Sequence, residues 1–192
     1  HIPEPDIDLG VGSGSHAVQT AEVMLRFEPV LDQLKPAAVL VLGDVNSTIS
    51  CALVAVKKGI PVIHVEAGLR SYDRDMPEEI NRVLTDQISE LLFTTERSAE
   101  ANLVREGISA DKVHFVGNVM IDTLRYNLDR AVDPATVFSA AESPFDLAQL
   151  DSGYALLTMH RPSNVDKPQN LKQLLDTLCS ISEKIPLVFP TH

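Results

Sequence analysis

The chain has 192 residues, a length typical of one large domain or of one domain and a fraction of a second. Apolar residues make up 44% of it, which is enough for a packed core and excludes a disordered chain. The net charge of −11 argues against nucleic-acid binding, and no apolar run approaches the roughly 20 residues that cross a bilayer, so we expect neither nucleic acid nor a membrane as partner.

Strands and helices alternate along the chain with short links. The first helix is predicted over 15–35, with Ser13 or Ser15 as its cap, and the first strand is an apolar run typical of burial on both faces. Strands are predicted at 37–42, 61–68, 91–96 and 112–117, and further helices at 46–59, 77–90, 97–108 and 118–131. This alternation predicts an α/β fold with a doubly wound parallel sheet.

Residues 132–152 contain two prolines and break this rhythm, after which a strand at 154–160 starts it again. We therefore predict an N-terminal domain over 1–135 that lacks its first strand, a linker over 136–152, and the start of a C-terminal domain over 153–192. The chain begins without Met and stops as a strand finishes, so we expect a piece of a longer protein, truncated at both ends.

Two distant cysteines, Cys51 and Cys179, lie in apolar helical segments without metal-like spacing. We expect both to be buried free thiols, which fits a reducing compartment and a cytoplasmic location.

Polar residues cluster where the predicted strands end, the edge at which open parallel sheets bind ligands. Asp44 follows the first strand, where helix capping and a place in a site explain it equally well. Glu66 ends an apolar strand, where a carboxylate is costly unless it is paired, so a functional role is favoured. Strand alternation directs His64 to the opposite face, so we favour a structural role for it.

The segment 64–82, "HVEAGLRSYDRDMPEEINR", is the most charged of these clusters. Glu78, Asn81 and Arg82 can share one helix face, and a surface ion pair between Glu78 and Arg82 is the alternative. Because Glu66 and Arg70 lie at the same end of the predicted sheet, we favour a functional site over the surface ion pair. The sequence has no phosphate-binding glycine loop with lysine, no zinc-type spacing and no serine elbow, so we predict no metal.

Four blocks in this order, "GDVNST", "HVEAGLRSYDRDMPEEINR", "VGNVMIDTL" and "HRPSNVD", closely resemble the non-hydrolysing UDP-N-acetylglucosamine 2-epimerases. The resemblance implies two Rossmann-like domains of the glycosyltransferase-B type with the active site in the cleft between them. It implies reversible conversion of UDP-N-acetylglucosamine to UDP-N-acetylmannosamine in cell-surface polysaccharide biosynthesis, without a cofactor. It also suggests a homodimer.

The family's reaction expels UDP from carbon 1 while the proton on carbon 2 is removed, and then re-adds UDP as a proton reaches the opposite face. The resemblance assigns the acid and base carboxyl groups to Asp44, Glu66 and Glu78. The remaining implied roles are phosphate binding by His160 with Arg161, support of the carboxylates or the ligand by Arg70, Asn81 and Arg82, and contact of His192 with a second, regulatory UDP-N-acetylglucosamine.

The chain lacks the family's N-terminal turn with glycine and arginine, and also its C-terminal uridine-binding segment. We therefore expect this piece alone to be inactive. Four alternatives stay open: a hydrolysing 2-epimerase, an epimerase of a modified UDP-sugar such as a diacetamido uronic acid, a glycosyltransferase of the same architecture, and an inactive nucleotide-sugar-binding protein.

Overall fold

The computed structural model describes residues 4–140, 152–159 and 162–190, and the chain divides into two compact units, His1–Tyr126 and Asn127–His192. The predicted domain boundary after residue 135 and the predicted linker at 136–152 stay predictions, because most of the linker lies outside the described residues.

The first unit is built around a four-stranded parallel sheet in the order β1-β2-β3-β4. Helices follow each strand, as the alternation predicts. Its elements are α1 His16–Leu34, β1 Val39–Leu42, α2 Asn46–Lys57, β2 Val62–Val65, α3 Pro77–Ile88, β3 Leu91–Thr94, α4 Arg97–Arg105, a 3-10 helix at Ala110–Lys112, β4 Val113–Phe115 and α5 Val119–Leu128.

Local signals in the sequence explain where the helices begin and end. Ser15 caps α1, its Oγ accepting a hydrogen bond from the Val18 N–H at 3.3 Å. The same helix ends at Lys35, which adopts a left-handed conformation and donates its N–H to the Leu31 carbonyl. Helix α3 begins with Pro77 and has two glutamates in its first turn, where the helix dipole favours negative charge.

The core of the first unit has two parts, one between β1, β2 and the first two helices and one beneath β3 and α4. The first part contains Leu31, Val41, Ala52, Val54, Ala55 and Val62, and the second contains Ala67, Leu92 and Leu103. The expectation that β1 is covered on both faces is wrong, since Leu40 and Leu42 are 62% and 54% exposed. Only the face with Val41 is packed, because α1 and α2 lie on that side of the strand and no other described element covers the opposite side.

The second unit contains a two-stranded parallel sheet, in which Ala155 pairs with Leu187. The first of these strands is shorter than the predicted 154–160, and α6 falls partly in the segment predicted as a linker. The elements are α6 Pro134–Ala140, β5 Ala155–Leu156, α7 Pro162–Val165, α8 Pro168–Ser182 and β6 Leu187–Val188.

The two cysteines are free, but only one is shielded from solvent. Cys51 is half-buried, and burial raises the pKa of its thiol to about 11. Cys179 is exposed on α8, so the prediction that both are buried is wrong for this residue. Among the described residues, none of the helices combines the length and the hydropathy that a membrane span requires.

Gly68 follows β2 in a left-handed conformation with φ +79°, and an added Cβ would lie 2.7 Å from the Ala99 carbonyl oxygen and 2.9 Å from Leu103 Cγ. We expect Gly68→Ala to lower the free energy of unfolding by about 3 kcal/mol, because it adds a backbone clash to left-handed strain. Gly59→Ala is the matched control, with φ +72° and nothing within 4 Å of its Cβ, and should cost about 1 kcal/mol. Urea unfolding of both variants measures the difference, and equal losses would contradict the clash.

Candidate functional site

The turns after β1 and β2 lie side by side at one edge of the sheet. The strands pair in parallel with Leu42 beside Val65, and the Gly43 N–H extends the ladder by donating to the Val65 carbonyl at 3.1 Å. This register brings Asp44 and Glu66, the residues that follow the two strands, to the same edge, as the sequence predicts.

Asp44 is held by two residues of α3. Its Oδ2 accepts a hydrogen bond from an Arg82 terminal nitrogen at 2.6 Å, and its main-chain carbonyl accepts one from Asn81 Nδ2 at 2.9 Å. The Asp44 side chain keeps 32% of its surface exposed, so its carboxylate remains reachable. The arginine therefore pairs with Asp44 rather than with Glu78, the partner in the alternative of a simple surface ion pair.

Glu66 adopts a left-handed backbone with φ +69°, which is uncommon for a residue that has a side chain. This conformation ends the strand alternation and directs the half-buried side chain toward the turn after β1. Its Oε2 lies 3.5 Å from the position that a Cβ on Gly43 would occupy. Strained backbone of this kind costs about 1–3 kcal/mol and clusters at functional sites.

Glu78 lines a pocket of ≈450 Å³ that lies beside the N-termini of α1 and α2. Polar side chains of three helices converge there, and Asn46 Nδ2 donates to Gln19 Oε1 at 2.9 Å and lies within hydrogen-bond distance of His16 Nδ1. The polar lining consists of His16, Gln19, Asn46, Ser47, Glu78 and Asn81, together with Asp8. The pocket has the size and the polar groups of a small-molecule site.

Glu79, the neighbour of Glu78, was not singled out from the sequence, yet it is the buried one of the pair, at 2% exposure. It accepts hydrogen bonds from the N–H groups of Ser71 and Tyr72 at 2.9 Å each and from the Ser71 hydroxyl, and it pairs with Arg82 at 3.2 Å. Burial alone raises the pKa of Glu79, but these hydrogen bonds and the arginine charge lower it below its usual range. Arg82 therefore links a buried carboxylate to Asp44.

Arg70 is enclosed by protein groups, with 1% of its side chain exposed. It makes two hydrogen bonds to the Glu106 carboxylate, at 2.8 and 2.5 Å, and a salt bridge to Asp86 at 2.8 Å. Burial lowers the pKa of Arg70, and the hydrogen bonds with Glu106 and the charge of Asp86 more than reverse this and raise it. Neither partner is one of the predicted acid and base residues, so the predicted support of those carboxylates or of the ligand by Arg70 stays a prediction.

His64 and Asp86 form a buried pair that the sequence signals did not indicate as part of the site. Asp86 Oδ1 lies 2.7 Å from His64 Nδ1, and His64 Nε2 lies 2.8 Å from the Gly43 carbonyl oxygen. Both side chains are fully buried. The burial of His64 fits the structural role that the sequence favours for it, but strand alternation does not show that the ring contacts the neighbouring turn. A single aspartate on a helix gives no signal of burial.

Three of the predicted site residues, His160, Arg161 and His192, lie outside the described residues. Their predicted roles in phosphate and regulatory binding stay predictions. Within residues 4–140, 152–159 and 162–190, no group of three or more histidine, cysteine, aspartate or glutamate side chains could hold a metal ion.

The fold and this site together define a parallel α/β protein in which Asp44 and Glu66 follow neighbouring strands at one edge of the sheet. Glu78 lines the pocket beside α1 and α2, whose lining does not include Asp44 or Glu66. A family model described as UDP-N-acetylglucosamine 2-epimerase matches residues 1–192. The chain therefore belongs to the UDP-N-acetylglucosamine 2-epimerase family, which confirms the predicted family; the non-hydrolysing type stays a prediction.

Two curated relatives illustrate the match. The UDP-N-acetylglucosamine 2-epimerase of Methanocaldococcus jannaschii is 45% identical over 183 residues, which cover 95% of this chain and 49% of the relative. The UDP-2,3-diacetamido-2,3-dideoxy-D-glucuronate 2-epimerase of Pseudomonas aeruginosa is 42% identical over 194 residues, which cover 100% of this chain and 52% of the relative. The chain thus spans about half the length of the curated relatives it matches.

Solved structures agree with the fold. The M. jannaschii UDP-GlcNAc 2-epimerase in complex with UDP-GlcNAc and UDP has a TM-score of 0.82 and 43% identity, with 100% of this chain and 52% of that chain covered. The Neisseria meningitidis UDP-GlcNAc 2-epimerase bound to UDP-GlcNAc has a TM-score of 0.83 and 33% identity. The match covers 98% of this chain and 52% of that chain. The predicted fold class, a parallel α/β fold of the glycosyltransferase-B type, is confirmed.

The burial of Glu79 generates a pH-dependent prediction. Replacing it with Gln should lower the free energy of unfolding by about 3 kcal/mol near neutral pH, because a buried ion pair loses one partner. A carboxylate whose pKa is lowered by folding stabilises the protein above its usual pKa of 4.5, and this stabilisation is lost as the pH falls through the folded value. The difference between wild type and Glu79→Gln should therefore shrink as the pH drops below 4.5.

Chemical denaturation of both proteins at a series of pH values measures this difference. Glu28→Gln is the control, because Glu28 is exposed and pairs only loosely with Lys58 at 3.4 Å. Its effect should stay within about 0.5 kcal/mol at every pH. A difference between Glu79→Gln and wild type that does not change with pH would contradict the buried carboxylate.

Proposed function

We propose that the full-length protein carrying this chain interconverts UDP-N-acetylglucosamine and UDP-N-acetylmannosamine without net hydrolysis. Membership of the 2-epimerase family supports epimerisation of a UDP-sugar. The observation that carries the proposal is the placement of the predicted acid and base groups. Asp44 and Glu66 lie in adjoining turns, and Glu78 lines a pocket with Asn81, which itself bonds Asp44.

This arrangement suits the chemistry at carbon 2 of the sugar. The proton on that carbon is not next to a carbonyl, so its removal has to be coupled to departure of UDP from carbon 1, leaving an unsaturated sugar. Re-addition of UDP then requires a proton to be delivered to the opposite face. Carboxyl groups that reach the ring from separate turns can perform both transfers.

The neighbouring residues have roles that follow from their contacts. Arg82 orients the Asp44 carboxylate, while Asn81 fixes the main chain of the same turn. Arg70 positions the turn after β2 without touching the sugar, since its guanidinium is occupied by Glu106 and Asp86. His160 and Arg161 would bind the departing UDP phosphates, and His192 would bind a regulatory nucleotide sugar. These are the roles that the family resemblance implies.

The substrate is UDP-N-acetylglucosamine in this proposal, and UDP is the group that leaves and returns. A homodimer, a cytoplasmic location and the inactivity of this chain by itself remain our predictions.

A second candidate substrate has a specific observation in its favour. The P. aeruginosa relative, named for the 2-epimerisation of a UDP-linked diacetamido uronic acid, is nearly as similar to this chain as the M. jannaschii one, at 42% against 45% identity. The same carboxylates would perform the same proton transfers on either sugar. The substituents on carbons 3 and 6 would decide between the two substrates.

Incubation of the full-length protein with UDP-N-acetylglucosamine in deuterated water tests the proposal. We expect UDP-N-acetylmannosamine with deuterium at carbon 2, detected by NMR, because the proton is exchanged during elimination and re-addition. Release of free N-acetylmannosamine would indicate a hydrolysing enzyme, and binding without turnover a nucleotide-sugar sensor. Faster turnover of the diacetamido uronic acid substrate would favour the second candidate.

Glu66→Gln tests the role of the carboxylate that follows β2. We expect kcat to fall by about 100- to 10,000-fold, since a neutral amide cannot transfer the proton. Glu90→Gln is the control, because Glu90 precedes β3 at the opposite edge of the sheet and pairs with Lys112 on the surface. A near-wild-type rate for Glu66→Gln in the exchange assay would exclude this carboxylate from proton transfer.

A further inference from the structure

Asp86 connects the two turns that carry the candidate catalytic carboxylates. Its Oδ1 contacts His64, which in turn contacts the Gly43 carbonyl just before Asp44. Its Oδ2 accepts a hydrogen bond from the Gly68 N–H at 3.1 Å and pairs with Arg70, both in the segment just after Glu66. We call this set, Asp86 with His64, Gly68 and Arg70, the Asp86 network.

Both ring nitrogens of His64 face oxygen atoms. A carbonyl oxygen only accepts, so the contact with Gly43 requires a proton on Nε2. Nδ1 faces Asp86, whose other oxygen pairs with Arg70, and a second proton on the ring would satisfy this contact as well. A doubly protonated ring would set the cations His64 and Arg70 against the anions Asp86 and Glu106.

This geometry has a consequence for the site. The Gly43 carbonyl belongs to the peptide bond whose nitrogen is that of Asp44, so the His64 ring sets the orientation of the peptide that leads into Asp44. The same aspartate holds the N–H of Gly68, two residues beyond Glu66. One buried carboxylate thus contacts both turns, directly at the Gly68 N–H and through His64 at the Gly43 carbonyl.

We propose that Asp86 and doubly protonated His64 are positioning residues that hold Asp44 and Glu66 in the geometry needed for proton transfer at the sugar. This role rests on the proposed function. Both side chains are fully buried and contact the main chain of the turns, so they act through the turns that they hold. A displacement of about 1 Å in such a group can cost about 100-fold in rate.

The test compares kcat and KM of the full-length wild type with His64→Leu, His64→Gln and Asp86→Asn in the deuterium-exchange assay. We expect kcat to fall about 100-fold for His64→Leu and Asp86→Asn while KM stays within about threefold. His64→Gln retains an amide donor for the Gly43 carbonyl and should recover part of the loss. Asp86→Asn places an amide donor against donors of His64, Gly68 or Arg70, so it disrupts both turns.

Ser89→Ala controls for a merely structural effect. Ser89 is buried at the end of α3, the helix that carries Asp86, and it donates a hydrogen bond to the Thr85 carbonyl of that helix. Its replacement should lower stability without changing kcat of the folded protein. If the His64 variants lose stability but keep the wild-type kcat, the positioning role is overturned.

Nitrogen-15 NMR of wild-type His64 at neutral pH gives a readout that needs neither turnover nor a folded variant. We expect both ring nitrogens to carry protons that exchange slowly with solvent, and a ring with a single proton would overturn the proposal. Absence of any turnover by the wild type would refute the proposed function, and the positioning role with it. Wild-type turnover with unaffected variants would refute the positioning role alone.

Discussion

The carboxylate of Asp86 is the group on which the arrangement of the candidate site depends. It lies in α3, yet its partners are in β2 and in the turn that follows β2, and through His64 it also reaches the end of β1. Main-chain pairing with β3 continues as far as Ala67, whose N–H donates to the Phe93 carbonyl at 3.1 Å. The next residue, Gly68, donates its N–H to the Asp86 side chain instead, so from there on side-chain hydrogen bonds hold the path of the chain.

A buried network of this kind is costly to desolvate and is stable only when each charge is paired. The partners of Asp86 meet that requirement, because Arg70 is shared with Glu106 and both ring nitrogens of His64 have a hydrogen-bond partner. Removing Asp86 takes the partner from His64 Nδ1 and from the Gly68 N–H, and it takes one of two carboxylate partners from Arg70. The network is therefore poor as a source of stability, but it is well suited to holding one geometry, which catalysis by positioned carboxylates requires.

Much of the fold could be predicted from the sequence, because strand and helix periods and the caps are local signals; Ser15 and Pro77 begin their helices as predicted. The exposure of Leu40 and Leu42 could not be predicted, because a run of apolar strand residues does not show which face of the strand is covered.

In the site, the parallel topology of the sheet predicted that Asp44 and Glu66 lie at the same edge. The partners of Arg82 could not be predicted in this way. Helix spacing indicated Glu78, whereas in the folded chain Arg82 pairs with Asp44 and with Glu79, the neighbour of Glu78.

The two adjacent glutamates of α3 show how one segment supplies both structure and chemistry. Glu79 uses its carboxylate oxygens to accept hydrogen bonds from Ser71 and Tyr72, so its lone pairs are committed to shaping the loop before the helix. Glu78, one residue earlier, points to a different side of the helix and lines the pocket. A carboxyl group that exchanges protons with a sugar has to keep an oxygen free, and a carboxylate that holds a loop has to commit both. The helical turn of about 100° between neighbours places Glu79 at the loop and Glu78 at the pocket, where the proposed reaction needs a carboxyl group with a free oxygen.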